Sequence, residues 1–150
     1  MNLEECLYNN DMIYPDYKKC SIVDVVRTIY KYCGYQYKLE DTNKEIEEYI
    51  ENKKHILLIL SDGMGSNLID SLSNEMLLKK NKVADLLTVF PTTTGCVLPS
   101  IATAEYPSTH GMIGWYNYNR DRNIDYYTLL FKDRYSGKNL RELDINENDI

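Results

Sequence analysis

The sequence predicts an α/β fold built on a parallel sheet, and three features carry that prediction. Residues 55–61, His-Ile-Leu-Leu-Ile-Leu-Ser, form a continuous apolar run, not an alternating one. A short run of this kind, closed by a turn, is the pattern of a strand covered on both faces. Asp62-Gly63-Met64-Gly65 then breaks the run sharply, and helical spacing follows. A second short strand is expected at 87–90, ended by Pro91 and followed by another helix. Strand, helix, strand, helix in this order implies parallel strands joined by right-handed crossovers.

The elements follow in order. Tyr14-Pro15-Asp16 marks a turn in an irregular opening segment. Ser21 opens a helix, with Asp24 three residues on as a weaker form of capping box. Ile22, Val25, Val26, Ile29 and Tyr30 share one helical face, and Gly34 stands where a C′ glycine belongs. A second helix is expected from Thr42, with Glu45 completing a capping box and Ile46, Tyr49 and Ile50 on one face. After the first strand, residues 66–72 and 74–80 read as helices. Thr92-Thr93-Thr94 leads into a helix over 95–104, in which Pro99 should kink the helix or delay its start. Ser108-Thr109-His110-Gly111 reads as a loop. Residues 116–118 and 126–131 read as strands around a turn at 119–123, and 138–143 as a short helix.

At 150 residues the chain has room for one domain with a real core. Its net charge of -6 disfavours a nucleic-acid polymer as partner, because such binding needs a basic footprint. A small phosphorylated ligand stays open, since a bound metal can invert the local field. Cys6, Cys20, Cys33 and Cys96 have neither zinc-ribbon nor disulfide-framework spacing, so free thiols in a reducing cytoplasm are expected. The opening MNLEECLYNN carries acids where a secretion signal needs a basic start, and residues 56–60 are too few to span a bilayer. A cytoplasmic location with no membrane partner is the expectation.

Two residues stand where chemistry is possible. Asp62 follows the first strand, and in open α/β sheets the ligand crevice lies outside the carboxyl ends of the strands. A carboxylate there is a hard oxygen donor, and the glycines after it allow close approach. A turn or capping role explains the same Asp-Gly pair. Thr94 precedes a helix, whose N-terminal N–H groups and partial positive charge suit a phosphate. Its hydroxyl can attack phosphorus if a divalent metal lowers its pKa. Alone, Thr94 reads as the helix N-cap. Both residues fall at the carboxyl edge of one expected sheet, where a single metal can bridge them.

ILLILSDGMG, followed by FPTTTGCVLPSIATAEYPSTHGMIGW, resembles the alkaline phosphatase superfamily. It is most similar to the type I phosphodiesterase/nucleotide pyrophosphatase branch, and the opening MIYPDYKKCSIVDVVRTI resembles the start of its bacterial relatives. The resemblance implies an alkaline-phosphatase-like three-layer fold of which residues 1–150 are the N-terminal, incomplete half, with 1–54 as a helical extension. It places the nucleophile on Thr94 and makes Asp62 a ligand of the metal that activates it. Two divalent ions are implied, usually zinc, with manganese an alternative, and a small phosphorylated substrate. His110 falls in the structural His-Gly turn of the motif, and His55 lies before the strand; neither is assigned as a ligand. The branch carries an Asn after His-Gly where this chain has Trp115, with Asn117 two residues on, which puts substrate orientation in question. Cys96-Val97-Leu98-Pro99-Ser100 does not fit the sulfatase nucleophile motif.

The chain has two histidines, and the later carboxylates Asp121, Asp125, Asp133, Asp144 and Asp149 form no Asp-His pair. One zinc wants about three protein ligands. The expectation is therefore a truncated phosphodiesterase or phosphatase, inactive by itself. A non-catalytic binding or interaction domain without the metal site is the alternative. A nucleotide-binding Rossmann-like domain is disfavoured, because G-x-G-x-x-G is missing.

Overall fold

The computed structural model describes residues 16–17, 20–36, 42–147 and 149, and its first helix is capped as its sequence predicts. Ser21 precedes α1 (Ile22–Tyr32) in an extended conformation. Its hydroxyl accepts the Asp24 N–H at 3.2 Å, and the Asp24 carboxylate accepts the Ser21 N–H at 2.9 Å, so the capping box closes. Gly34 leaves the helix at φ +86°, a left-handed conformation that favours glycine. The second helix, α2 (Lys44–Ile50), starts later than expected. Asn43 is its N-cap, accepting the Ile46 N–H at 2.9 Å, and Thr28 of α1 fixes Asn43 by accepting its N–H at 2.8 Å. That tertiary anchor selects Asn43 over Thr42.

The short helices α3 (Ser66–Ser71) and α4 (Leu77–Lys80) precede α5 (Thr94–Thr103) and α6 (Pro107–His110). Pro99 does not delay α5, which begins at Thr94 with the proline inside it. It ends at Ala104, at φ +57°.

The parallel sheet is where the structure departs most from the sequence reading. Residues 55–61 form no strand, and Leu57 and Ile59 are 83% and 77% exposed. The apolar pattern demands cover on both sides, yet no neighbouring segment among the described residues pairs with its edges. Among the described residues the parallel pairing that does occur is one bridge between Ser21 and Leu87. Ile22 N–H donates to the Leu87 carbonyl and Leu87 N–H to the Cys20 carbonyl, each at 2.9 Å. The sheet itself is antiparallel, β1 (Tyr116–Asn119), β2 (Ile124–Tyr127) and β3 (Lys132–Asp133) in that order. Antiparallel strands need only a tight turn, so this sheet forms locally, whereas parallel strands need a long crossover. The strand expected to reach 131 ends at Tyr127, because Phe131 turns to φ +51° and donates its N–H back to the Tyr127 carbonyl. A 3-10 turn, Leu140–Leu143, stands within the expected helix at 138–143.

Two small cores result among the described residues. Val23, Val89 and Cys96 form the first, with Ile22, Val97 and Tyr106 at its margin. Tyr126, Leu140 and Ile145 form the second, flanked by Ile124, Phe131 and Leu143. Cys20, Cys33 and Cys96 are free thiols, while Cys6, Tyr14 and Pro15 lie outside the described residues. Among the described residues no helix is long and apolar enough to cross a membrane.

Because Ile59 is exposed, Ile59→Lys should change unfolding free energy by no more than about 0.5 kcal/mol. Leu140→Ala, in the second core, should cost about 2–5 kcal/mol. Urea unfolding of both variants checks the pair; a cooperative collapse of Ile59→Lys would show the run to be buried.

Candidate active site

Asp62 and Thr94 meet in space. Thr94 Oγ1 donates to Asp62 Oδ2 at 3.4 Å, a long and therefore weak hydrogen bond between groups 32 residues apart. Local backbone aims each side chain. The other oxygen, Asp62 Oδ1, accepts the Gly63 N–H at 2.8 Å, and Gly63 takes φ +69° in the same turn. Thr93, not Thr94, is the N-cap of α5, and its carbonyl accepts the N–H groups of Cys96 and Val97 at 2.8 and 3.0 Å. Thr94 is thus the first helical residue, and its hydroxyl is available to Asp62. The Thr93 side chain makes no capping bond, so the first turn of α5 presents N–H groups and a partial positive charge beside the pair.

A cleft of about 630 Å³ contains both residues. Ser61, Thr88 and Thr92 add polar groups, while Ile22, Met64 and Val97 supply an apolar wall. Ile22 and the threonines other than Thr94 were not singled out in the sequence. The apolar face of α1 points to Ile22 only as a core residue, and nothing in its spacing reveals that it reaches a cleft.

The base of this arrangement is tightly packed. A Cβ built on Gly95 would stand 2.6 Å from the Gly114 carbonyl oxygen and 3.1 Å from Trp115 Cα. Only glycine allows that approach, so the segment after His110 packs directly on the first turn of α5. Asn117 is spent on its own loop, accepting the Ile113 N–H at 3.1 Å and donating to the Gly114 carbonyl and the Thr128 hydroxyl. Trp115 is 42% exposed. Cys96 is fully buried beneath the turn, and burial pushes its thiol above the ordinary value, the reverse of what a thiolate nucleophile needs.

His110 lies on the α5 side of the loop, not in the cleft. Its Nδ1 accepts the Met112 N–H at 3.1 Å, which leaves Nε2 protonated to donate to Ser100 Oγ at 2.9 Å. Ser100 in turn donates to the Cys96 carbonyl at 2.9 Å. His55 is exposed. Of the later carboxylates, Asp133 accepts the Ser136 N–H in its own turn, and Asp149 pairs with Arg122. Among the described residues no group of three or more His, Cys, Asp or Glu is placed to hold a metal ion.

The sequence model of a family described as type I phosphodiesterase / nucleotide pyrophosphatase matches residues 56–137. The matched segment contains Asp62, Thr94 and His110 and excludes α1 and α2. No curated protein and no solved structure matches the chain.

Burial lowers the His110 pKa below its ordinary value near 6.5. The folded chain therefore favours the neutral ring, while the unfolded chain protonates first as pH falls. The stability contributed by His110 is complete above about pH 6.5 and declines below it. Thermal melts of the wild type and His110→Gln between about pH 7.5 and 5 should show the wild-type advantage shrinking toward acid. An advantage that grows as pH falls would reverse this assignment.

Proposed function

The chain belongs to the type I phosphodiesterase / nucleotide pyrophosphatase family, and from that premise we propose that Thr94 is the nucleophile of a phosphate-ester hydrolase and Asp62 its acidic partner. The observation that supports this reading is the meeting of the two side chains at one end of a cleft, at the first turn of a helix. Asp62 accepts the hydrogen bond of the hydroxyl and turns the threonine oxygen toward a bound phosphorus. The N–H groups of the first turn of α5 favour the phosphoryl oxygens. In-line attack forms the Thr94 Oγ1–phosphorus bond as the bond to the ester oxygen breaks. The hydroxyl proton passes by way of Asp62 to the leaving group, which departs as an alcohol. Water then cleaves the phosphothreonine to release the phosphate and restore the hydroxyl.

The proposed chemistry calls for divalent ions, zinc or manganese, at this site. A carboxylate and a hydroxyl facing one space fit part of such a coordination shell. Zinc wants about three protein ligands, and the described residues supply no such group. The pair is therefore a partial shell, with Asp62 and Thr94 as the residues of this chain that would touch the metal. When bound, a divalent ion lowers the pKa of the attacking hydroxyl. A second reading, a non-catalytic interaction domain, is favoured by one observation: the exposed apolar run at residues 57–60.

These readings separate in one set of measurements. The 150-residue chain, supplied with zinc or manganese, should hydrolyse bis(p-nitrophenyl) phosphate no faster than buffer. In calorimetric titration it should bind zinc weakly, and Asp62→Asn should reduce that affinity at least about tenfold. Robust turnover abolished by Thr94→Ala would show that the ligand set is complete as it stands. Zinc affinity unchanged by Asp62→Asn would favour the interaction domain.

A further inference from the structure

Residues 20–32 lie outside the matched segment, yet they hold the Thr94 helix along one side. We infer that α1 is a positioning element of the Thr94 site and that Arg27 is its principal positioning residue, an inference that rests on Thr94 being the nucleophile.

Arg27 is 7% exposed, although it sits among Val25, Val26 and Thr28 on a buried face. A guanidinium so placed is costly unless every donor is aimed. Its Nε donates to the Ala104 carbonyl at 2.9 Å, and Nη2 pairs with Glu105 at 3.2 Å. Its carbon lies 5.5 Å from the centre of the Tyr106 ring, within cation–π reach. Ala104 is the C-cap of α5 and adopts φ +57°, a conformation that a residue with a Cβ adopts reluctantly. The cation thus stands at the negative end of the helix whose positive end carries Thr94.

Other contacts of α1 work in the same direction. Tyr30 donates to the Ala102 carbonyl at 2.7 Å, and the Ser21 and Tyr106 hydroxyls lie 2.8 Å apart. Val23 packs on Cys96 in the first core. Ile22 pairs with Leu87 and forms a wall of the cleft. A helix of this length is a rod of about 15 Å, so fixing its far end and flank sets the direction in which its first residue points. Nucleophilic attack tolerates little misplacement, about 1 Å at most. Thus α1 does more than bury apolar surface: it sets the pose of Thr94.

The test is amide hydrogen exchange on the full chain without metal. Arg27→Ala should speed exchange about tenfold at Cys96 and Val97, whose N–H groups bond the Thr93 carbonyl. Phe131 and Leu140, in the second core, should keep their protection. Arg27→Lys should restore most of it, because one ammonium donor can still reach Ala104. Lys31→Ala, on the same helix as Arg27, removes an exposed ion pair with Glu47 of α2 and should change nothing at Cys96. Equal acceleration at all four amides would mean that Arg27 serves overall stability only, and no acceleration would dismiss it; either result overturns the inference. If Arg27→Ala does not fold, Arg27→Lys alone decides: partial loss at Cys96 and Val97 supports positioning, and uniform loss refutes it. None of these readouts involves zinc, so failure of the clamp and failure of the Asp62–Thr94 site are separable.

Discussion

Val23, Val89 and Cys96 are fully buried against one another, and each comes from a different part of the chain. Val23 belongs to α1, Val89 to the segment that pairs with Ser21, and Cys96 to the first turn of α5. The candidate site is built on this contact. Without it, α5 would have no fixed relation to residues 87–90, and Thr94 would have none to the cleft wall at Ile22. The apolar contact is small, and polar groups reinforce it. The Ser21–Asp24 capping box and the Tyr106 hydroxyl satisfy one another, and the Arg27 guanidinium is satisfied by the Ala104 carbonyl and Glu105; satisfied partners are the condition under which buried polar groups add specificity without net penalty. Among the described residues no fully buried side-chain nitrogen or oxygen lacks a partner.

Local signals in the sequence were read correctly where the structure obeys local rules. The cap at Ser21, the C′ glycine at Gly34 and the hairpin around 119–123 each depend on neighbours within a few residues. The proximity of Asp62 and Thr94 was legible for a different reason: both follow apolar segments that end in a turn, and the family resemblance pointed to Thr94 among the three threonines. Long-range arrangement was not legible. The apolar run at 56–60 promised a covered strand, but periodicity reports what a segment needs, not whether neighbours are present to supply it. Arg27 was invisible, since a charged residue in an amphipathic helix reads as surface until its partners, 77 and 78 residues away, are known.

The division of labour within the site follows from these contacts. Asp62 and Thr94 bring oxygen donors, α5 brings its N-terminal field, and the loop after His110 supports the first turn through the close Gly95–Gly114 approach. His110 and Ser100 hold that loop to the body of α5 and take no part in the cleft.

The central claim is that Asp62 and Thr94 act as one site. A double-mutant cycle on zinc affinity, with Asp62→Asn, Thr94→Ala and the double variant, tests it most directly. Residues that share a bound ion should be non-additive, with a coupling energy of at least about 0.5 kcal/mol. Strict additivity of the two substitutions would contradict a shared site.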